Sequence, residues 1–245
     1  MINVVIPMAG SGSRFVKEGY KKPKPFIDVA GKPMIARVIE NLYHPDAHYI
    51  LIGRSEHLHQ EAGVVKQLSS SYDVSFIGID TLTEGTACTV LFARESISNN
   101  LPLLIANSDQ LVDTDINKFI DDCLHKNLDG SILTFTDTEK NPKWSFARIN
   151  NEALVVEVQE KKAISEFATV GIYFFTKGSD FVNGAIDMII NNDRVNNEFY
   201  TCPVYNYLIK EGKQIGIYNI EFNQMHGLGT PEDLEKYLNK FSFKN

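Results

Sequence analysis

The chain has 245 residues, enough for one large α/β domain with a substantial core. Its formal net charge of −7 and charged content of 22% fit an ordinary globular protein and exclude a general nucleic-acid binder. Three scattered cysteines, Cys88, Cys123 and Cys202, make no disulfide frame or zinc-spaced cluster. There is no signal-peptide pattern and no apolar run of ~18 residues, so a cytoplasmic chain without a membrane span is expected.

Residues 3–7 read as a buried strand. Met8-Ala9-Gly10-Ser11-Gly12-Ser13-Arg14-Phe15 follows as a loop of small residues ending in a cation. Gly10 and Gly12 let backbone N–H groups turn toward one anion, because no Cβ blocks the approach. Arg14 and Lys24 can bring positive charge to the same oxygens. The same Gly-x-Gly also suits a plain tight turn. A dinucleotide fingerprint would need glycine where Phe15 stands. A P-loop is absent, because Gly31-Lys32 and Gly212-Lys213 run on to Pro33 and Gln214.

Pro33 opens a helix with Met34, Ile35, Val38, Ile39 and Leu42 on one face. Residues 49–52 read as a strand, 56–68 as an amphipathic helix and 74–79 as the next strand. This β-α-β-α-β order is that of a parallel sheet with crossover helices. Thr83-Glu84-Gly85-Thr86-Ala87 then starts a helix running to about residue 96. A loop at the carboxyl end of a parallel strand is where open α/β sheets bind ligands. Thr86 as a helix N-cap is the structural alternative.

Residues 101–106 form a strongly apolar strand ending in Asn107-Ser108-Asp109. Asp109 thus offers an oxygen ligand to a hard cation such as Mg²⁺. Capping the next helix is the alternative role for Asp109, but Thr114 or Asp115 already supplies a cap. Ile116, Phe119, Ile120, Cys123 and Leu124 then recur at helical spacing. Residues 131–136 are a strand, and 144–149 and 153–159 are paired strands about Asn150-Asn151. Glu160-Lys161-Lys162 by itself reads as a solvated turn. In the strand 168–175, Gly171 marks a close approach of ligand or backbone. A helix over 181–190, a helix from Pro203 and a strand over 215–220 follow. In the last helix Thr230 is the cap, Pro231 takes the first position, and Leu234, Tyr237, Leu238 and Phe241 face inward.

Ala-Gly-x-Gly-x-Arg ending at Arg14, Pro23-Lys24-Pro25, Gly31-Lys32-Pro33-Met34-Ile35 and Gly229-Thr230-Pro231-Glu232-Asp233-Leu234 appear in order. Together they resemble the sugar-1-phosphate nucleotidylyltransferase family, over Asn3 to Leu238. Ser11 departs from the glycine of many members. The resemblance implies a Rossmann-like three-layer α/β/α fold of the nucleotide-diphospho-sugar transferase type. Its central sheet is mostly parallel, with a small acceptor-side β region. One domain, 1–245, is expected, with a nucleotide half over about 1–130 and an acceptor half with the carboxy-terminal helix over about 131–245.

The implied reaction is in-line attack of an acceptor phosphate on the α-phosphorus of a nucleoside triphosphate, with Mg²⁺ as cofactor and pyrophosphate leaving. By the same resemblance Arg14 holds the β- and γ-phosphates, Lys24 the α-phosphate and Asp109 the metal. Met8, Ala9, Gly10, Ser11, Gly12, Ser13, Glu84, Gly85, Thr86 and Asn107 are assigned to the nucleotide. Trp144, Glu160, Lys161, Gly171 and Glu198 are assigned to the acceptor. Glu84 is also the residue expected to accept from the exocyclic amine of cytosine. Many members carry a second metal-binding aspartate where Gly227 stands. Fewer protein ligands, another carboxylate, or a role for His226 or Glu198 are the open alternatives.

The opening Pro-Met-Ala-Gly and the closing Gly-Leu-Gly-Thr-Pro-Glu-Asp resemble most the capsule-linked CTP:phosphoglutamine cytidylyltransferase group. CTP and phosphoglutamine, or a similar phosphate, are therefore the expected partners, with a sugar 1-phosphate as the alternative acceptor. A glycosyltransferase would carry Asp-x-Asp, but Asp109 is followed by Gln110-Leu111. A catalytically silent nucleotide-binding subunit is the other rival, because Gly227 replaces a carboxylate. The sequence leaves a homo-oligomer open.

Overall fold

The computed structural model describes residues 1–242, with side chains to residue 240, so the expectation for Phe241 lies outside the described side chains. The strands are β1 (Ile2–Pro7), β2 (Asp28–Val29), β3 (Lys32–Pro33), β4 (Ala47–Arg54), β5 (Val74–Ile79), β6 (Leu103–Ala106) and β7 (Gln110–Val112). They continue as β8 (Gly130–Thr136), β9 (Ser145–Ile149), β10 (Val155–Glu160), β11 (Phe167–Phe175), β12 (Ile215–Ile220) and β13 (Met225–Gly227).

Nine strands share one sheet, in the order β10-β9-β11-β6-β1-β4-β5, with β8 beside β11 and β12 beside β8. The run β6-β1-β4-β5 is parallel. β1 reads as an unbroken apolar run because both its faces are covered. Val4 and Ile6 point into a core shared with the helices Met34–Asn41 and Ile116–His125. Val5 points into an opposite core shared with the helices Thr86–Val90, Gly178–Ile190 and Val204–Lys210. This is the expected three-layer α/β/α class.

The chain leaves β1 toward β4 and β5 on one side, then crosses to β6 on the other. The strand order therefore reverses at β1, and the loops after β1 and β6 open a crevice at their carboxyl ends. β11 forms the antiparallel border of that crevice. Its register shifts between Thr169 and Tyr173, around Gly171.

Several elements depart from the sequence reading. Residues 56–68 are not one helix but two, Ser55–Gln60 and Ala62–Ser71, with Glu61 outside helical geometry between them. Only Leu68 of the second is buried, so little packing enforces continuity. The helix after Thr86 also breaks, into Thr86–Val90, a 3₁₀ turn Leu91–Ala93 and Arg94–Ile97. Leu124 is 45% exposed rather than inward-facing. Residues 8–15 are not all loop, because Ser13–Lys17 is a short helix anchored by the buried Phe15.

The short ribbon β7–β13 was not legible in sequence. It pairs Gln110 with Gly227, and Asn41 holds β7 by donating to the Val112 carbonyl and accepting from the Val112 N–H, both at 2.8 Å.

Candidate active site

A cleft of about 800 Å³ opens at the carboxyl ends of β1 and β6 and against residues 169–173 of the antiparallel β11, a size that suits a nucleotide-like ligand. Met8, Ala9, Gly10, Ser11 and Arg14 form one wall. Gly12 and Ser13 do not line it. Gly12 instead turns the loop, with φ +60°, and a Cβ there would stand 3.2 Å from Lys24 Cβ. Glycine at position 12 thus lets the loop lie against the Lys24 segment.

Lys24 and Asp109, 85 positions apart in sequence, meet on the cleft floor. The Lys24 ammonium donates to Asp109 Oδ2 at 2.7 Å, and both side chains are mostly buried. The Leu228 N–H donates to the Asp109 carbonyl at 2.7 Å, which ties the turn after β6 to the end of β13. Asn107 also lines the cleft and rests on Gly171. A Cβ at Gly171 would come within 2.1 Å of Asn107 Nδ2. The close approach at Gly171 is therefore made by the Asn107 side-chain amide and not by the backbone that the sequence also allowed.

Gly85 and Thr86 line the cleft, but Glu84 does not. Its carboxylate is 65% exposed and accepts a 2.8 Å hydrogen bond from Arg194. The expected contact of Glu84 with a base is thus replaced by an ion pair outside the cleft. Gly85 is packed so tightly that a Cβ would meet the Phe199 carbonyl oxygen at 2.4 Å. Thr86 is not a helix cap, since Gly85 holds that place. Its Oγ1 instead accepts from the Thr201 N–H at 3.1 Å. These contacts join the loop after β5 to the segment 198–201.

The opposite wall carries Trp144, Glu160, Gly171 and Glu198, all sequence candidates. Glu160 is buried, and Ser145 Oγ donates to it. Burial pushes its carboxyl above the ordinary range, opposed by the Ser145 hydrogen bond. Lys161 does not line the cleft. Its ammonium donates to Tyr200 Oη at 2.6 Å, and Tyr200 lines the wall in its place. Burial and a hydrogen bond with Glu198 raise the Tyr200 phenol. Sequence reasoning missed Thr169, Tyr173, Tyr200 and Thr201, which come from a strand interior and a loop without a motif. Cys202 also lines the cleft, with its thiol pushed well up by burial, so it is no ready nucleophile.

A notch lies at the Asp109 end. A Cβ at Gly229 would stand 2.8 Å from Asp109 Oδ2, and one at Gly227 would meet nothing nearer than the Asp233 carboxylate at 4.0 Å. Gln110 lines the same end. It is 8% exposed, and its Nε2 has no hydrogen-bond partner. His226 is turned away, with Nε2 2.8 Å from Asp113 Oδ2. Among the described residues no three His, Cys, Asp or Glu converge as a metal cage. The open space, the carboxylates and the orphaned amide suit a hydrated Mg²⁺, which commonly takes one or two carboxylates and completes its shell with water and phosphate oxygens.

The chain belongs to the nucleotidyl transferase family, whose model matches residues 3–236. Among curated relatives it is 26% identical over 250 residues to the bifunctional protein GlmU of Methanococcus vannielii, covering 98% of this chain and 55% of that protein. It is 25% identical over 249 residues to GlmU of Clostridium perfringens, covering 95% of this chain and 50% of the relative. The chain thus spans about half the length of these relatives. Among solved structures it superposes on a nucleoside-diphosphate-sugar pyrophosphorylase from Vibrio cholerae with a TM-score of 0.81 and 25% identity, covering 96% of this chain and 99% of that one. HddC from Yersinia pseudotuberculosis shares the fold, with a TM-score of 0.70, 22% identity and coverage of 98% and 100%. No helix among the described residues is long and apolar enough to cross a membrane.

Proposed function

We propose that this chain joins the nucleoside monophosphate part of a nucleoside triphosphate to a phosphorylated small molecule and releases pyrophosphate. The observation that carries this reading is the Lys24–Asp109 pair on the cleft floor, set beside the glycine loop and Arg14. In this reading the loop at Gly10 and Ser11 receives the triphosphate, and Arg14 holds its outer phosphates. Lys24 turns from Asp109 to the α-phosphate and offsets the charge that builds there during in-line attack. Asp109 would hold Mg²⁺, which lowers the repulsion between two anionic reactants. Gly85, Thr86 and Asn107 place the nucleoside. Trp144, Glu160, Gly171 and Glu198 orient the acceptor, and Lys161 acts through Tyr200. No protein nucleophile is required, so the chemistry is positioning and charge neutralisation.

The relatives support a sugar 1-phosphate as the acceptor class. A second reading is a cytidylyltransferase for phosphoglutamine or a similar phosphate, with a role in capsule or surface polysaccharide synthesis. The acceptor wall favours it in one respect. Glu160 and Glu198 line it together with Lys143, which suits an acceptor bearing both ammonium and carboxylate. The nucleobase is assigned to CTP only by the resemblance, since Glu84 is engaged by Arg194.

The test is a pyrophosphate-release screen with Mg²⁺ that crosses CTP, UTP, GTP, ATP and dTTP with sugar 1-phosphates, phosphocholine and phosphoglutamine. One productive pair is expected, with Asp109→Ala silent. NTP binding without release for every pair would refute the reading and return the weight to a silent nucleotide-binding subunit.

A further inference from the structure

The notch at the Asp109 end is built around a missing side chain. The β7–β13 ladder sets Gly227 directly opposite Gln110, so a side chain at 227 would rise on the same face as Gln110. With glycine there, the face stays open. The group that looks across the opening is the Asp233 carboxylate, with Cγ and Oδ2 both 4.0 Å from the Cβ position of residue 227. Asp233 lies in the first turn of the helix Pro231–Ser242 and lines the cleft with Asp109, Gly227, Gly229 and Thr230. Its Oδ2 accepts a 2.7 Å hydrogen bond from Thr230 Oγ1, and its own N–H donates to the same Oγ1 at 3.1 Å. These two bonds hold the carboxylate in one place, so it does not swing freely with the helix end.

A helix-capping role alone would account for those bonds but not for Gln110. That side chain is more than nine-tenths buried, lines the same end of the cleft, and leaves its Nε2 without a partner. An orphaned buried amide is costly unless something else satisfies it. A water or phosphate oxygen in the coordination shell of a cation seated in the notch is such a partner. The other carboxylate at this end, Asp109, has one oxygen already held by Lys24. A second anionic oxygen from the protein would therefore strengthen the hold on a divalent cation.

We infer that Asp233 is the second carboxylate of the divalent-cation site, reaching across the space that Gly227 leaves and replacing a side chain at that position. The inference rests on the assignment of the cation to Asp109 in the proposed function. Capping and ligation coexist, because the bond from Thr230 engages Oδ2 alone and a carboxylate has further lone pairs on both oxygens to offer a cation.

The test is Mn²⁺ titration of the intact protein, without nucleotide, read by electron paramagnetic resonance of free Mn²⁺. Thermal melting of each variant checks folding. Asp109→Asn and Asp233→Asn are each expected to weaken Mn²⁺ binding about tenfold or more, the scale of losing a side chain that supports a metal. Adding Gly227→Asp to Asp233→Asn is expected to restore it. Glu232→Gln removes the same charge one residue away, on a side chain paired with Lys236 outside the cleft, and should leave binding unchanged. Asp233→Ser serves in place of Asp233→Asn should that variant fail to fold. If Asp109→Asn weakens binding and both Asp233 variants do not, the inference is overturned and the assignment of Asp109 stands. Equal losses with Glu232→Gln and Asp233→Asn would reduce the effect to the general field and overturn it too. If the unaltered protein binds no Mn²⁺, or Asp109→Asn changes nothing, the Asp109 assignment falls and takes the inference with it.

Discussion

Gly171→Ala tests how the two sides of the cleft are joined. Gly171 has φ +90°, where a residue with a Cβ is strained by roughly 1–2 kcal/mol. The added Cβ would also lie 2.1 Å from Asn107 Nδ2 and 2.8 Å from its Cγ, so the amide must leave its place. Overpacking of this kind costs about 1–3 kcal/mol. The sum, about 2–5 kcal/mol, corresponds to a fall in Tm of roughly 4–20 °C for a chain of this size. Urea unfolding of the parent, Gly171→Ala, Asn107→Ala and the double variant separates the two parts. In the Asn107→Ala background the clash is gone and only the backbone strain is left. Gly171→Ala should then be milder by at least ~1 kcal/mol, the coupling expected between residues in contact. Equal penalties in the two backgrounds would refute the contact as the reason for glycine, and a penalty near zero would refute the strain as well.

Glu84→Gln should leave nucleotide preference unchanged, because the carboxylate serves Arg194 outside the cleft. Competition between CTP and UTP in the release assay checks this. Glu160 carries a carboxyl raised by burial above its ordinary 4.5, so between that value and its folded value the native state binds more protons than the unfolded chain. Stability contributed at this site must therefore fall as pH rises through that window. Glu160→Gln should flatten the slope, measured as urea midpoints from pH 4.5 upward. Among the thiols, Cys123 is pushed up to about 12 and Cys202 well up by burial, whereas Cys88 is half-buried, its thiol also raised by burial. A thiol-reactive dye should label Cys88 first and reach the other two only on unfolding; early labelling of Cys202 would show that the cleft wall opposite the glycine loop opens in solution.

The sequence by itself determined the alternation of strands and helices along most of the chain. The apolar run of β1, the facing set Met34, Ile35, Val38 and Ile39 and the capped helix at Thr230 are written in neighbouring residues, and local periodicity is enough to read them. It also placed Gly10, Arg14, Lys24, Asn107 and Asp109 at loops that end parallel strands, which is where such sheets gather ligands. Only the tertiary structure decided which candidates face one another. Glu84 left the cleft for Arg194, a residue 110 positions away, and Lys161 reaches the wall only through Tyr200. The notch is likewise a tertiary product, because Gln110, Gly227 and Asp233 meet through a ribbon of three-residue strands too short to show a period. A motif fixes residue type and spacing along the chain. The direction of a loop side chain is set instead by partners from distant segments, and that pairing exists only once the sheet has closed around it.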